Sequence, residues 1–283
     1  MRLSIITVNY NNKDGLQKTI SSIISQTYKD YEWIVIDGGS TDGSKELLEE
    51  NRQHFSYWVS EPDKGVYNAM NKGLSHVRGE YVNFMNSGDV FYENTTLEKV
   101  FNESLEGDIV YGDWYLIKKG DFIFIPAPEN VTLDFLYDRN ICHQAMFIKS
   151  HFLKNEGYDE SFNILADKVR WIKMILDGNT TQYVHHTICV FDKNGGLSSD
   201  PTNELFIYEI KRMRETFPSN IRFILEKNHQ YRDILKEIEK GHITIEHLGF
   251  LNWHTNYLKF LDFRIKIGKY IKVFYQNIFD KNH

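Results

Sequence analysis

The stretch Glu61–Asp89, EPDKGVYNAMNKGLSHVRGEYVNFMNSGD, decides the fold class. It reads as a loop, a helix, a strand and a polar turn. The helix spans Val66 to Val77 and starts just after Gly65. The strand spans Glu80 to Asn86 and is apolar through Tyr81, Val82, Phe84 and Met85. It ends in Asn86-Ser87-Gly88-Asp89, a turn with a single acid at its tip. In open α/β sheets, ligands sit outside the carboxyl ends of the strands. A short acid there, beside a glycine that lets backbone come close, suits a divalent metal holding phosphate oxygens. The plainer reading is a solvated turn, since Asn, Ser, Gly and Asp are ordinary turn residues.

Working outward, the same alternation extends toward the N-terminus. Leu3 to Val8 is a near-continuous apolar run, as expected of a strand buried on both faces of a parallel sheet. Leu16, Ile20, Ile23 and Ile24 fall at helical spacing, on a helix ending near Gln26. A second strand, Glu32 to Ile36, runs into Asp37-Gly38-Gly39-Ser40-Thr41. This β-α-β span of about 30 residues is the size of a right-handed crossover unit. Ser40 or Thr41 is expected to cap the next helix, Lys45 to Asn51. A short strand, Tyr57 to Ser60, then leads into Glu61. The reading is α/β.

After Asp89 the pattern loosens. Thr95 to Leu105 reads as helix and Asp108 to Trp114 as strand. Tyr115 to Ile125 reads as a hairpin around Lys119-Gly120. Cys142 to Lys149 reads as strand, Lys168 to Leu176 as helix, and Tyr183 to Phe191 as a last strand before a glycine loop, Gly195 to Ser198. Beyond about Asp200 the strands stop and a helical piece runs to His283.

Composition narrows the function classes. The chain has 283 residues, 41% hydrophobic, with a net charge of −6. That charge argues against nucleic acid as a partner. Two cysteines, Cys142 and Cys189, make neither a disulfide framework nor a Cys-rich zinc site. Reduced, cytosolic thiols are the simpler expectation. The apolar run at the N-terminus breaks at Asn9, too short for a signal peptide. No run of about 18 apolar residues suggests a spanning helix.

Asp37 and Asp89 both fall at carboxyl ends of expected parallel strands, with Asp63 in the loop between. A nucleotide needs an acceptor for its base or ribose and something to neutralise its diphosphate. Asp37 suits the first task, and a metal on Asp89 the second. Asn9-Tyr10-Asn11-Asn12 is not the Gly-rich turn of a dinucleotide fold, and no P-loop occurs.

Seven segments in order carry a resemblance: SIITVNYN at Ser4–Asn11, EWIVIDGGSTDGS at Glu32–Ser44, SEPDKGVYNAMNKG at Ser60–Gly73, GEYVNFMNSGD at Gly79–Asp89, HQAMF at His143–Phe147, GYDESFNILAD at Gly157–Asp167, and GGLS at Gly195–Ser198. The chain resembles the inverting nucleotide-sugar glycosyltransferases of glycosyltransferase family 2, in the flavour of enzymes that build bacterial surface polysaccharides. The resemblance implies the A-type glycosyltransferase fold, a Rossmann-like mixed sheet, over residues 1–200. It leaves a helical C-terminal extension over 201–283. It places Thr7, Val8, Asn9 and Tyr10 around the base and ribose, and Asp37 on the base, often uracil. Asp63, Lys64, Asn68, Ser87 and Gly88 fall on the donor side, with Asn68 where an acid is often found. Asp89 matches the last acid of the family's metal motif, for Mn²⁺ or Mg²⁺. The leading acid is replaced by Asn86-Ser87, so one carboxylate must carry the metal with phosphate and water. Asp167 matches the catalytic base; its local sequence alone equally suits a helix N-cap. His143 and Gln144 are acceptor-side residues or structural ones.

The implied partners are a nucleotide-sugar donor and a glycan or lipid-linked acceptor. From Lys259 onward the chain is basic and aromatic, which suits an anionic membrane surface, or else a helix packed on the catalytic domain or in a homodimer. The expected location is cytoplasmic, peripheral at the inner face of the cell membrane. A non-catalytic nucleotide-sugar binding protein is the alternative. A nucleotidylyltransferase would need a Gly-rich basic turn that Asn9 to Asn12 does not supply.

Overall fold

The computed structural model describes residues 1–194 and 202–239. The loop Gly195 to Ser198 and the basic tail from Lys259 lie outside the described residues. The chain divides into two compact units, Met1–Leu225 and Glu226–His283.

The first unit opens with three parallel strands and their helices. Strand β1 (Leu3–Asn9) is buried at every position, as its unbroken apolar run requires. Helix α1 (Lys13–Ile24) follows, capped by Asn12, whose side chain accepts the Gly15 N–H. Next come β2 (Tyr31–Asp37), α2 (Ser44–Glu50), β3 (Tyr57–Ser60) and α3 (Val66–Leu74). The cap expected of Ser40 or Thr41 is absent. The residue before α2 is Gly43, at φ +92° and without a side-chain cap, while Ser40 is engaged on Asp37. Helix α3 lies so close to β1 that a Cβ on Gly73 would stand 2.7 Å from Ile6 Cγ2.

Strand β4 is shorter than the sequence suggests, Tyr81–Phe84. It is followed by β5 (Val90–Phe91), α4 (Thr96–Phe101), β6 (Ile109–Lys118), β7 (Asp121–Ile125) and α5 (Leu133–Asp138). The hairpin turns where expected, with Lys119 at φ +53° and Gly120 at φ +89°. The strand expected over Cys142 to Lys149 is two things. His143–Ala145 is a single 3₁₀ turn, and only Met146–Lys149 is strand, β8. The buried Asn83 causes the break: its amide donates to the carbonyls of Gln144 and Met146, at 2.9 and 2.8 Å. The chain continues through α6 (Ser150–Asn155), α7 (Ala166–Leu176), β9 (Thr181–Asp192), α8 (Glu204–Arg214) and α9 (Ser219–Glu239), within which the division between units falls.

The strand order is β3-β2-β1-β4-β8-β6-β9-β5, with β7 on β6. β1 lies parallel between β2 and β4, whereas β8 is antiparallel to both β4 and β6. It is a mixed α/β sheet, as expected. Register aligns the carboxyl ends: Asn9 lies beside Asp37, and Asp37 beside Ser60. Trp33, Trp171, Tyr81 and Tyr111 are among the large side chains fully buried in the core. Each aliphatic or Phe side chain so buried contributes about 1.5–3 kcal/mol. The rigid sheet thereby fixes the loops at its carboxyl edge.

Candidate active site

The donor corner is built at the ends of β1, β2 and β3. Asp37 is fully buried. Its Oδ1 accepts from Asn9 Nδ2 at 2.7 Å and Ser40 Oγ at 2.5 Å. Its Oδ2 accepts from Ser60 Oγ at 2.6 Å and the Ser40 N–H at 2.9 Å. Burial works to raise its pKa, but these hydrogen bonds overcome it and hold the carboxyl below its ordinary value. The residue expected to bind a base is thus engaged by its own chain. Thr7 is also inside, donating to the Met85 carbonyl at 2.8 Å, and Val8 and Asn9 are buried. Tyr10, in contrast, is 67% exposed. It and Asp63 both crowd Gly38, where an added Cβ would stand 2.6 Å from Asp63 Oδ2 and 3.1 Å from Tyr10 Cδ2. Asn68 fastens the next loop, accepting the Lys64 N–H at 3.2 Å and donating to Glu160 at 2.9 Å.

The turn after β4 is tied to α1. Thr19 Oγ1 accepts the Gly88 N–H at 3.0 Å and lies 2.8 Å from the Asp89 carbonyl. Asn12 Nδ2 donates to the Ser87 carbonyl at 3.1 Å. Gly88 holds φ +103°, a conformation that disfavours any side chain. Asp89 is buried; Oδ2 accepts from Gln144 Nε2 at 2.5 Å and Oδ1 from the Asp192 N–H at 3.1 Å. Burial pushes its pKa up to about 7, against the pull of those two hydrogen bonds. A buried carboxylate is stable when paired or metal-bound. Beside it the carbonyl oxygen of the buried Gln144 amide has no hydrogen-bond partner. Among the described residues no cluster of three or more His, Cys, Asp or Glu could hold a metal. The unpartnered Gln144 oxygen beside a buried acid is the feature that suits an oxygen-seeking divalent ion, although both Asp89 oxygens already accept hydrogen bonds from the chain itself.

Across the sheet, Asp167 lies in the first turn of α7, not at its cap; the cap position is Leu165, without a side-chain hydrogen bond. Its Oδ1 is 2.9 Å from the Tyr67 hydroxyl and its Oδ2 is 3.1 Å from His143 Nδ1. Burial would raise the pKa of Asp167. The hydrogen bonds from His143, the Lys168 N–H and Tyr67 outweigh it, so the pKa is lowered. His143 Nε2 in turn lies 3.0 Å from Asn86 Nδ2. The end of β4, the turn before β8 and the start of α7 thus meet in one chain of polar contacts. His143 and Gln144, adjacent in sequence, divide between Asp167 and Asp89. Cys142 and Cys189 are free thiols with sulfurs 3.7 Å apart.

Sequence reasoning missed Tyr67, Asn86 as a contact of His143, and Glu209. Glu209 comes from α8 and is buried. It accepts the N–H groups of Asn163, Ile164 and Leu165 at 2.6, 2.9 and 3.0 Å, so it fastens the loop that leads into the helix carrying Asp167. Nothing local marks it, because its partners are more than 40 positions away.

Comparison with known proteins agrees with this geometry. The model of glycosyl transferase family 2 matches residues 4–164. An uncharacterised glycosyltransferase of Mycobacterium tuberculosis is 32% identical over 208 residues, 71% of this chain and 79% of that protein. A PGL/p-HBAD biosynthesis glycosyltransferase of Mycobacterium bovis is 30% identical over 230 residues, covering 78% and 88%. Among solved structures, S. aureus TarS 1–349 in complex with UDP-GlcNAc superposes with a TM-score of 0.64 at 18% identity, over 80% of this chain and 70% of that one. The Pyrobaculum calidifontis mannosyltransferase with GDP-Man and Mn²⁺ gives 0.50 at 17%, over 82% and 64%. These two share the fold, the A-type glycosyltransferase sheet. With its motifs in order along that sheet and a family model spanning more than half its length, the chain belongs to glycosyltransferase family 2.

Proposed function

We propose that the protein is an inverting glycosyltransferase. It moves a sugar from a nucleoside-diphosphate donor, a UDP-sugar by preference, to a hydroxyl of a glycan or lipid-linked acceptor of a surface polysaccharide. The observation that carries this is Asp167: a carboxylate held ionised by His143 and Tyr67, beside the Asn86–Asp89 turn at the carboxyl edge of the sheet. An acceptor hydroxyl is a poor nucleophile at neutral pH and needs a positioned proton acceptor. Asp167 takes that proton as the hydroxyl oxygen bonds the anomeric carbon and the bond to the diphosphate breaks. One displacement inverts the centre. Tyr10, Gly38 and Asp63 frame the nucleotide, with Asp37 orienting Asn9 and Ser40 behind them. Lys64, Asn68, Ser87 and Gly88 line the donor side, and Gln144 stands between Asp89 and the acceptor side. Asp89 would hold Mn²⁺ or Mg²⁺. The ion would supply charge stabilisation for the departing diphosphate. The neighbour bound to UDP-GlcNAc supports a UDP-sugar; the one bound to GDP-Man and Mn²⁺ keeps the panel of donors wide. The relative named as a PGL/p-HBAD biosynthesis glycosyltransferase supports a biosynthetic transferase.

The test is a panel of UDP-, GDP- and dTDP-sugars, with and without Mn²⁺, read by calorimetry and by nucleoside-diphosphate release with a membrane-lipid extract. We expect one donor to turn over, and Asp167→Asn to bind it normally while transfer falls about 10²–10⁴-fold. Donor binding without any turnover would favour a non-catalytic binding protein. Transfer by Asp167→Asn near the wild-type rate would end the base assignment.

A further inference from the structure

We propose that His143 is the positioning residue of the base: held from behind by Asn86, it donates its Nδ1–H to Asp167 and fixes the carboxylate for proton abstraction. The inference rests on the reading of Asp167 as the base.

The tautomer follows from hydrogen-bond logic. In the amide orientation of the structure, Asn86 Nδ2 carries two protons and no lone pair, so at 3.0 Å it donates to His143 Nε2, leaving its own Oδ1 buried without a partner. The ring proton of a neutral imidazole then sits on Nδ1, 3.1 Å from Asp167 Oδ2. The ring has little freedom. Phe84 stands edge-on to it, at 6.4 Å between centroids and 89° between planes. The 3₁₀ turn that carries it is pinned by the Asn83 amide on both sides, at Gln144 and Met146.

The other oxygen is less well served. The Tyr67 hydroxyl lies 2.9 Å from Asp167 Oδ1 but 2.7 Å from the Ile164 carbonyl. One phenolic proton cannot serve both fully. His143 is therefore the side chain whose single proton is undivided on the carboxylate. A shared proton leaves that oxygen the less fully engaged of the two by side chains. In the transfer step the acceptor proton passes to Asp167 and the electron pair of the breaking bond leaves with the diphosphate. His143 keeps its own proton throughout, which separates this role from that of a second base.

The role predicts which substitutions rescue. The amide of an Asn side chain reaches roughly the Nδ1 position of His, so His143→Asn retains a donor toward Asp167, whereas His143→Leu does not. The full chain is assayed with the same sugar-nucleotide panel and membrane-lipid extract. His143→Leu should lose about 10–100-fold in kcat, the worth of a hydrogen bond to a charged group, with donor KM within about threefold. His143→Asn should recover to within about fivefold of wild type. In an Asp167→Asn background, His143→Leu should cost little more, because a residue acting through Asp167 is coupled to it.

Full kcat in His143→Leu, or equal losses in the Leu and Asn variants, would overturn the inference. A further full loss in the double variant would also overturn it, because His143 would then act independently. Transfer at the wild-type rate by Asp167→Asn would instead remove the base reading itself. No turnover by wild type across the panel would remove the transferase reading and this inference together. A readout that needs no substrate is ¹⁵N NMR of labelled histidine. It should show His143 as the Nδ1–H tautomer in the wild type, and an Nε2–H tautomer would contradict the geometry directly.

Discussion

Four donors converge on the two oxygens of Asp37, from Asn9, Ser60 and twice from Ser40. A carboxylate so served organises the ends of β1, β2 and β3 at once, because Asn9, Asp37 and Ser60 are neighbours in register. The consequence for stability has a definite sign. The folded-state pKa lies below the unfolded one, since the hydrogen bonds outweigh burial. The unfolded chain thus binds the proton more readily. The stabilisation is complete above the unfolded value, near pH 4, and is lost as pH falls through the folded value. Asp37→Asn keeps the shape but sets an NH₂ group against donors. It should cost about 1–3 kcal/mol at pH 7. Urea unfolding of both proteins from pH 7 to pH 3 checks this: the gap should narrow below about pH 4. A gap that stays constant with pH would mean that the charge of Asp37 contributes nothing.

At the scale of elements, helix α7 shows what the sequence displays and what it conceals. Its apolar face is legible: Val169, Ile172 and the flanking Trp171 are buried as a periodic stripe predicts. Its start is not legible. The residue that seems to be the cap, Asp167, is inside the first turn, and the loop before the helix is held by Glu209 on α8. A local pattern cannot reveal a partner brought by tertiary packing. For the same reason Cys142 to Lys149 looks like one strand, although the side chain of Asn83 breaks it. The motifs carried by contiguous turns, Asp37 to Ser44 and Asn86 to Asp89, were readable because turn chemistry is local. The pairing of Asn86 with His143 was not, since 57 positions separate them. Glu209 gives a prediction at this scale. Its carboxylate accepts three N–H groups of the loop just before helix α7, close to the helix N-terminus, where negative charge is favoured. Glu209→Gln should lower stability by about 1–2 kcal/mol, or roughly 2–8 °C in Tm for a unit of this size. It should reduce kcat more than it weakens donor binding, because the loop it holds, Asn163–Leu165, leads directly into Asp167. Thermal melts and donor titrations on the variant measure both effects, and an unchanged kcat beside a lowered Tm would confine Glu209 to a structural role.

For the whole molecule, the proposed lipid-linked acceptor raises the question of how it would reach a site at the carboxyl edge of the sheet. Among the described residues no helix is long and apolar enough to cross a membrane. Two stretches have the composition to lie on one. The first is the tail from Lys259, where Lys259, Arg264, Lys266, Lys269, Lys272 and Lys281 alternate with aromatic and aliphatic residues against only Asp262 and Asp280. The second is the β6–β7 hairpin, where Phe122, Ile123 and Phe124 are exposed near Lys118 and Lys119. The Tyr115 ring of the hairpin stacks on Phe122 at 4.2 Å and on Tyr92, which follows β5, at 5.3 Å, so their faces are already partly covered. An open strand edge is also poorly suited to hydrocarbon, where unpaired backbone groups are costly. The tail has more charge, and each Lys or Arg near an anionic surface contributes about 1 kcal/mol. It should therefore dominate. A chain ending at Asn256 should keep donor binding but lose sedimentation with vesicles of phosphatidylglycerol and phosphatidylcholine. Phe122→Ser with Phe124→Ser in the full chain should sediment like wild type, and the wild-type interaction should weaken as salt rises from 50 to about 500 mM. If truncation changes nothing while the hairpin variant is released, the assignment of the two stretches is reversed; if neither changes sedimentation, membrane contact lies in neither.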